Sequence, residues 1–236
     1  MARYVVTGAS SGIGREIALQ LARGGHDVVA LGRDIIRLDE LILQGIAVHA
    51  FDLCDRAALE AFAMEMKEQG PIDGLINNAA IQHNVRFDDP GYGIDQIAAE
   101  VEANLVAPLI LSRLLLPDVP GRAFVIVNVG SALASYPKRT SAIYSATKAG
   151  LRMFSDAINA QSAGSSVRAV DIVLPLVDAP MSAGRGRGKI SAAAAAAAIV
   201  GSLASRQTRV HVGKTKLLRL LQFIAPPVAA AIIRKL

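Results

Sequence analysis

Short apolar, β-branched runs alternate with amphipathic stretches along almost the whole chain. Strand-length runs fall at 3–7, 27–31, 46–51, 72–77, 122–129, 166–173 and 208–212. Helical spacing occupies 12–23, 34–44, 55–69, 94–116, 141–163 and 191–205, and in the first of these Ile17, Ala18, Leu21 and Ala22 recur on one face. Alternation of this kind predicts the α/β class, a doubly wound parallel sheet of about seven strands with helices on both faces. Ligands of such a sheet bind beyond the carboxyl ends of its strands, so residues just after each run are the first candidates for chemistry.

The first run leads into Gly8-Ala9-Ser10-Ser11-Gly12-Ile13-Gly14 and then a helix. Strand, glycine turn and helix in that order are the context of a dinucleotide site. The glycines allow a tight turn and close approach of a pyrophosphate, and the helix end offers free N–H groups and a positive dipole. Gly8, Ser10, Ser11, Gly12, Ile13 and Gly14 are therefore candidate cofactor contacts. A second signal lies in the 141–163 helix, where Tyr144 and Lys148 are four residues apart and share a face. A free phenol ionises near pH 10, too high for work near neutrality. An ammonium one turn away favours the phenolate, so the pair is a candidate proton donor tuned toward working pH.

Thr7 to Gly14, Asn77-Asn78-Ala79-Ala80, Asn104, Ser131, and Tyr144-Ser145-Ala146-Thr147-Lys148, together with Asp52-Leu53 and Pro175, make the chain resemble the short-chain dehydrogenase/reductase family, of its single-domain Rossmann-like type. The resemblance covers residues 3–213. It implies a catalytic set of Asn104, Ser131, Tyr144 and Lys148. Tyr144 would be the general acid in reduction and the base in oxidation, and Lys148 would lower its pKa and hold the nicotinamide ribose. Ser131 would hydrogen-bond the substrate oxygen, with Ser135 and Ser141 as nearby alternatives. Asn104 would hold a water that links Lys148 to solvent. Asp52 would contact the adenine amino group, with Leu53, Asn78, Ala79 and Pro175 as further cofactor contacts. Two departures stand out. Ala80 replaces the usual glycine, asking that position to tolerate a Cβ. Ala179 stands where a threonine would meet the nicotinamide amide.

The end of the second strand bears on the choice of cofactor. Gly32 occupies the slot where an acid would bind the ribose 2′-hydroxyl of NAD, and Arg33 follows with a fork suited to a 2′-phosphate. Arg15 adds charge nearby, and Asp34 reads as a helix cap rather than a ribose ligand. NADP(H) is the expected cofactor, with NAD(H) as the alternative.

A chain of 236 residues suits one domain with a full core. Residues 1–213 read as that catalytic domain, with a glycine-rich substrate loop at about 180–190 that is short and hints at an open pocket; 214–236 read as a basic, apolar helical extension. The single cysteine, Cys54, excludes an internal disulfide framework and reads as a small buried residue. With no signal peptide in the reading, a cytoplasmic protein is expected. His26, His49, His83 and His211 are scattered, so no metal site is expected. The net charge of +5 hides a split: residues 1–178 carry −5, while 179–236 carry +10 with no acid at all. The tail's apolar run, broken by Pro226-Pro227, is too short to span a bilayer. Packing on the enzyme or a neighbouring subunit, and contact with an anionic membrane surface, are its two readings. Arg185, Arg187 and Lys189 could receive an anionic substrate such as a phosphate-bearing thioester. No nucleic-acid reader motif is present. The activity expected is reduction of a small-molecule carbonyl or oxidation of an alcohol by a homodimer or homotetramer. A cofactor-binding regulatory protein on the same fold is the alternative.

Overall fold

A computed structural model describes residues 1–234. Its strands are β1 (Arg3–Thr7), β2 (Asp27–Gly32), β3 (Ala47–Ala50), β4 (Gly74–Asn77), β5 (Phe124–Ser131), β6 (Val167–Leu174), β7 (Val177–Asp178), β8 (Ile190–Ser191) and β9 (Arg209–His211). Seven of them form one parallel sheet in the order β3-β2-β1-β4-β5-β6-β9, and β7 pairs with β8 in a small ladder of its own. All seven expected strands are there. Val5 lies beside Val29 and Leu75, so the central strands are apolar on both faces, as a doubly covered parallel sheet requires.

The helices are α1 (Gly12–Arg23), α2 (Ile35–Ile42), α3 (Arg56–Gln69), α4 (Ile94–Val101), α5 (Ala107–Leu114), α6 (Ala142–Gln161), α7 (Ala192–Leu203), α8 (Thr215–Ile224) and α9 (Pro226–Arg234). Ile17 and Leu21 of α1, Leu38 and Leu41 of α2 and Ile199 of α7 cover one face. Leu59, Phe62 and Met66 of α3 and Leu111 of α5 cover the other. Each such side chain, fully buried, contributes roughly 1.5–3 kcal/mol. The strand order reverses between β1 and β4, and the crevice that opens there is the natural ligand site of this topology.

Two features matter for the site: the first departs from the sequence expectation, and the second is the packing that is one of the two readings of the tail. The helix expected over 94–116 is interrupted by a π-helical turn at Glu102–Val106 that contains Asn104. Pro108 explains it: with no N–H, it cannot bond back to the Asn104 carbonyl, and its ring crowds that carbonyl in a regular α-helix. The tail also folds back rather than trailing. Leu218 of α8 and Ala229 and Ile233 of α9 are buried against Ala132, with Leu133 and Tyr136 packed around them. Pro226 and Pro227 end α8 and start α9, where a missing N–H costs nothing. No described helix is long and apolar enough to cross a membrane.

Candidate active site

Beyond the carboxyl edge of the sheet lies one cleft of about 1470 Å³. Gly8, Ser10, Ser11, Gly12, Ile13, Arg33, Asp52, Leu53, Asn78, Ala79, Ser131, Tyr144, Lys148 and Pro175 all line it. Two candidate residues stand behind its wall. Gly14 is in the first turn of α1, where an added Cβ would collide with the Gly8 carbonyl. Asn104 is fully buried under the β4–α4 loop.

The glycine turn is built as a cradle. Gly8 has a φ of +68°, and a Cβ there would come within 2.8 Å of the Ala79 backbone. Thr7 fixes the same junction: its Oγ1 accepts from the N–H groups of Asn78 and Ala79, each at 3.0 Å, and Asn78 Nδ2 donates to the Thr7 carbonyl at 3.0 Å. Ser11 caps α1 without any side-chain bond to its first turn, so those N–H groups are left to face an anion in the cleft. The residues present therefore fit a dinucleotide. Ala80 is not among the residues with positive φ, so its Cβ carries no strain.

At the other end of the turn, Gly32 and Ser10 are packed so closely that a Cβ on Gly32 would lie 3.2–3.3 Å from the Ser10 side chain. Arg33 is exposed and lies 3.7 Å from Asp52, an ion pair too long and too wet to hold it. Asp34 caps α2, accepting from the Arg37 N–H at 3.2 Å. Arg37 lines the cleft, whereas Arg15 is turned toward Glu40 at 2.9 Å. The expected cationic partner of Arg33 is thus replaced by one from α2. Cys54 is exposed rather than buried. Desolvation and the neighbouring Asp52 carboxylate push its thiol up to about 11, against a reactive thiolate.

Tyr144 and Lys148 stand on one face of α6, with the Lys148 ammonium 5.6 Å from the centre of the Tyr144 ring. Lys148 is buried and its Nζ donates to the Val129 carbonyl of β5 at 2.8 Å. Burial pushes the amine down to about 8, with Asp171 pulling the other way. Ser131, at the end of β5, accepts from the Leu133 N–H at 3.1 Å and lines the cleft with Tyr144, whose ionisation it favours. The rival serines are committed elsewhere: Ser135 accepts from Arg152, and Ser141 is clamped by the 82–85 loop. The phenol itself departs from the sequence expectation. Burial pushes it up to about 12, while Ser131 and then Arg185 act to lower it and Glu100 raises it. Lysine proximity alone does not depress it, because a group that takes the phenol out of water disfavours the phenolate.

Asn104 joins the β4–α4 loop to α6. Its Oδ1 accepts from the Ile81 N–H and its Nδ2 donates to the Ile81 carbonyl, both at 2.8 Å, with Thr147 Oγ1 at 3.4 Å. The side chain is therefore spoken for, and Pro108 has no N–H to offer the Asn104 carbonyl.

Several residues of the site had no sequence signal. Glu100 is fully buried, accepts from the His83 N–H at 3.0 Å and from the Tyr92 hydroxyl, and so orders the 81–93 loop. Leu218, Ile232 and Ile233 of the tail line the cleft. Only apolar periodicity marks them, which any core helix shares. Met181, Arg185 and Gly186 of the 180–190 loop line the cleft, and α8 and α9 border it beside them.

A sequence model of the short chain dehydrogenase family matches residues 3–189. The chain is 35% identical over 178 residues to an uncharacterised oxidoreductase, DltE, of Bacillus subtilis, covering 74% of this chain and 71% of that one. It is 32% identical over 227 residues to the ketoacyl reductase HetN of a Nostoc species, covering 89% and 78%. A short-chain dehydrogenase from Sphingobium yanoikuyae, solved in complex with NADPH, superposes with a TM-score of 0.82 at 26% identity over 97% of this chain and 95% of that one. The chain belongs to the short-chain dehydrogenase family and is an oxidoreductase.

Proposed function

We propose that the chain is an NADP(H)-dependent oxidoreductase acting on a carbonyl or alcohol, with Tyr144 as its general acid and base. The observation that carries this reading is the meeting of the glycine turn, Ser131, Tyr144 and Lys148 on one cleft. When bound, the nicotinamide supplies or accepts the hydride; the protein supplies orientation and proton management. Gly8 to Ile13 and the open end of α1 would hold the pyrophosphate, and Asn78, Ala79 and Pro175 would flank the nicotinamide half. Asp52 and Leu53 would flank the adenine. Gly32, Arg33 and Arg37 favour the 2′-phosphate of NADP(H): Gly32 stands where an acid would meet the ribose 2′-hydroxyl, and two guanidinium groups border that end, Arg33 loosely paired with Asp52 and Arg37 with Asp34. The NADPH complex of the Sphingobium relative agrees with this choice.

In the chemical step Ser131 Oγ donates to the substrate oxygen. Tyr144 Oη gives its proton to that oxygen in reduction and takes it from the hydroxyl in oxidation. Lys148 stabilises the phenolate left behind. Asn104 holds a water that links Lys148 to solvent and resupplies the proton. The name of the Nostoc relative, a ketoacyl reductase, supports a carbonyl substrate.

Residues 1–213 would make the catalytic unit, with 214–236 as its lid. A dimer or tetramer through α5 and α6 is our reading of their partly exposed apolar face, on which Met153 stands out. We place the enzyme in the cytoplasm. The outer face of α8 exposes Leu217, Leu220, Phe223 and Ile224 beside Lys216 and Arg219, which supports peripheral contact with an anionic membrane. The direct test of the function is absorbance at the NADPH band against a panel of aldehydes, ketones and 3-oxoacyl thioesters. Turnover with NADPH well above that with NADH supports the proposal; no turnover across the panel, or a preference for NADH, opposes it.

A further inference from the structure

Two cations meet at the substrate side of the cleft with no acid between them. Lys138, on the segment between β5 and α6, and Arg185, on the 180–190 loop, are both half-buried and both line the cleft. Among the described residues neither makes an ion pair. Lys138 Nζ donates to Asn84 Oδ1, and Arg185 donates to Gln82 Oε1 at 3.1 Å and to the Met181 carbonyl. Neutral amides and a carbonyl orient the two groups and leave their charge uncancelled. The loop's other cations are placed differently. Lys189 is taken by the Ser182 carbonyl at 2.7 Å and Asp178 at 3.3 Å, and Arg187 borders the cleft but is exposed to water.

Bringing two like charges together in a partly desolvated site costs free energy that an anion between them returns. The strain is visible in Lys138: burial and then the Arg185 charge hold its ammonium below the ordinary range. Arg185 also acts on the Tyr144 phenol, so it lies within electrostatic reach of the reacting oxygen. Apolar side chains of Leu133, Leu176, Leu218 and Ile233 line the same cleft.

Resting on the proposed function, we propose that Lys138 and Arg185 form an oxyanion subsite, and that the substrate is an aliphatic carbonyl or hydroxy compound bearing a carboxylate or phosphate. The carbonyl lies on Ser131 and Tyr144, the anionic group between Lys138 and Arg185, and the aliphatic body against α8 and α9. The subsite selects by charge: a neutral ester of the same length leaves both cations unpaired.

Matched pairs test this. Initial rates with NADPH are compared for a 3-oxo acid and its methyl ester, and for a phosphopantetheine thioester and its N-acetylcysteamine counterpart. The anionic member of at least one pair should have the higher kcat/KM by about tenfold or more at low salt. Whichever pair shows it identifies the anion as carboxylate or phosphate. Lys138→Gln and Arg185→Gln should each bring that ratio toward one through KM, and Arg185→Lys should keep most of it. Neutral members turned over as well as anionic ones, or a ratio unmoved in both variants, would overturn the subsite. No turnover of any member counts against the oxidoreductase reading instead. The subsite is then read without catalysis, by calorimetric titration of a 3-hydroxy acid, a hydroxyacyl phosphopantetheine thioester and their neutral counterparts into the protein with NADP⁺. At least one anionic ligand should bind about tenfold or more tighter than its counterpart, and equal affinities in both pairs would contradict the proposal whatever the activity.

Discussion

The Lys148 ammonium lies 5.6 Å from the centre of the Tyr144 ring while it donates to the Val129 carbonyl at 2.8 Å. The amine is thus positioned by the sheet and not by the phenol. Burial sets the order of ionisation: the amine titrates at about 8 and the phenol at about 12. Near neutral pH the pair is therefore an ammonium beside an intact phenol, the state a proton donor needs. Once the proton has left, a negative charge placed at the ring centre would attract the ammonium by about 3 kcal/mol at an effective dielectric of about 20. That attraction stabilises the phenolate only while Lys148 keeps its proton.

Reduction should accordingly run at a plateau below about pH 8 and decline above it as Lys148 is neutralised. Lys148→Met should lower kcat by about a hundredfold and remove that decline. The same variant should be more stable than the wild type. A buried amine whose folded pKa is about 8, against an ordinary 10.5, weakens the fold while it is charged. The penalty is fully present below pH 8 and fades as pH rises toward 10.5. Melting temperatures at pH 7 and pH 10 check it: a gain for Lys148→Met at the lower pH that shrinks at the higher one is expected.

Ser141 begins α6 in a left-handed conformation, φ +63° and ψ +46°, that a serine adopts only under constraint. Its N–H donates to the Val85 carbonyl at 2.9 Å, its Oγ donates to the His83 carbonyl at 3.1 Å and accepts from Gln82 at 3.0 Å. Ser141→Ala keeps the strain and loses the Oγ bonds, whereas Ser141→Gly loses the bonds and relieves the strain. Urea unfolding should rank wild type, then glycine, then alanine, with about 1 kcal/mol between the last two. Alanine equal to or above glycine would mean that the backbone there is unstrained.

Arg33→Ala should raise KM for NADPH by about tenfold with little change for NADH, because only the 2′-phosphate has a charge for it to meet. Steady-state kinetics with both cofactors measure this. An equal loss for the two would assign Arg33 to the Asp52 contact alone.

The strands and the glycine turn were legible because their signals are local. A strand needs a run of β-branched residues, and a close backbone approach needs Gly8 and Gly12 where they stand. Tyr144 and Lys148 were legible for the same reason, being one helical turn apart. Asn104 was legible as a residue but not in its posture, since the π-helical turn comes from Pro108 and the side chain's partners come from Ile81, 23 residues away in sequence. The phenol's pKa was misjudged from spacing because desolvation is set by tertiary packing. Lys138, Leu218 and Ile233 meet the cleft only through chain folding, and none carries a pattern that separates it from an ordinary surface cation or an apolar core residue.

The central claim is that the Tyr144 hydroxyl is the proton donor. A single-turnover stopped-flow measurement of NADPH oxidation by Tyr144→Phe, with a substrate that the wild type reduces, tests it most directly. The account predicts a fall of at least about a hundredfold in the rate, with NADPH binding by fluorescence titration unchanged. A variant that keeps a tenth or more of the wild-type rate with cofactor bound would contradict it.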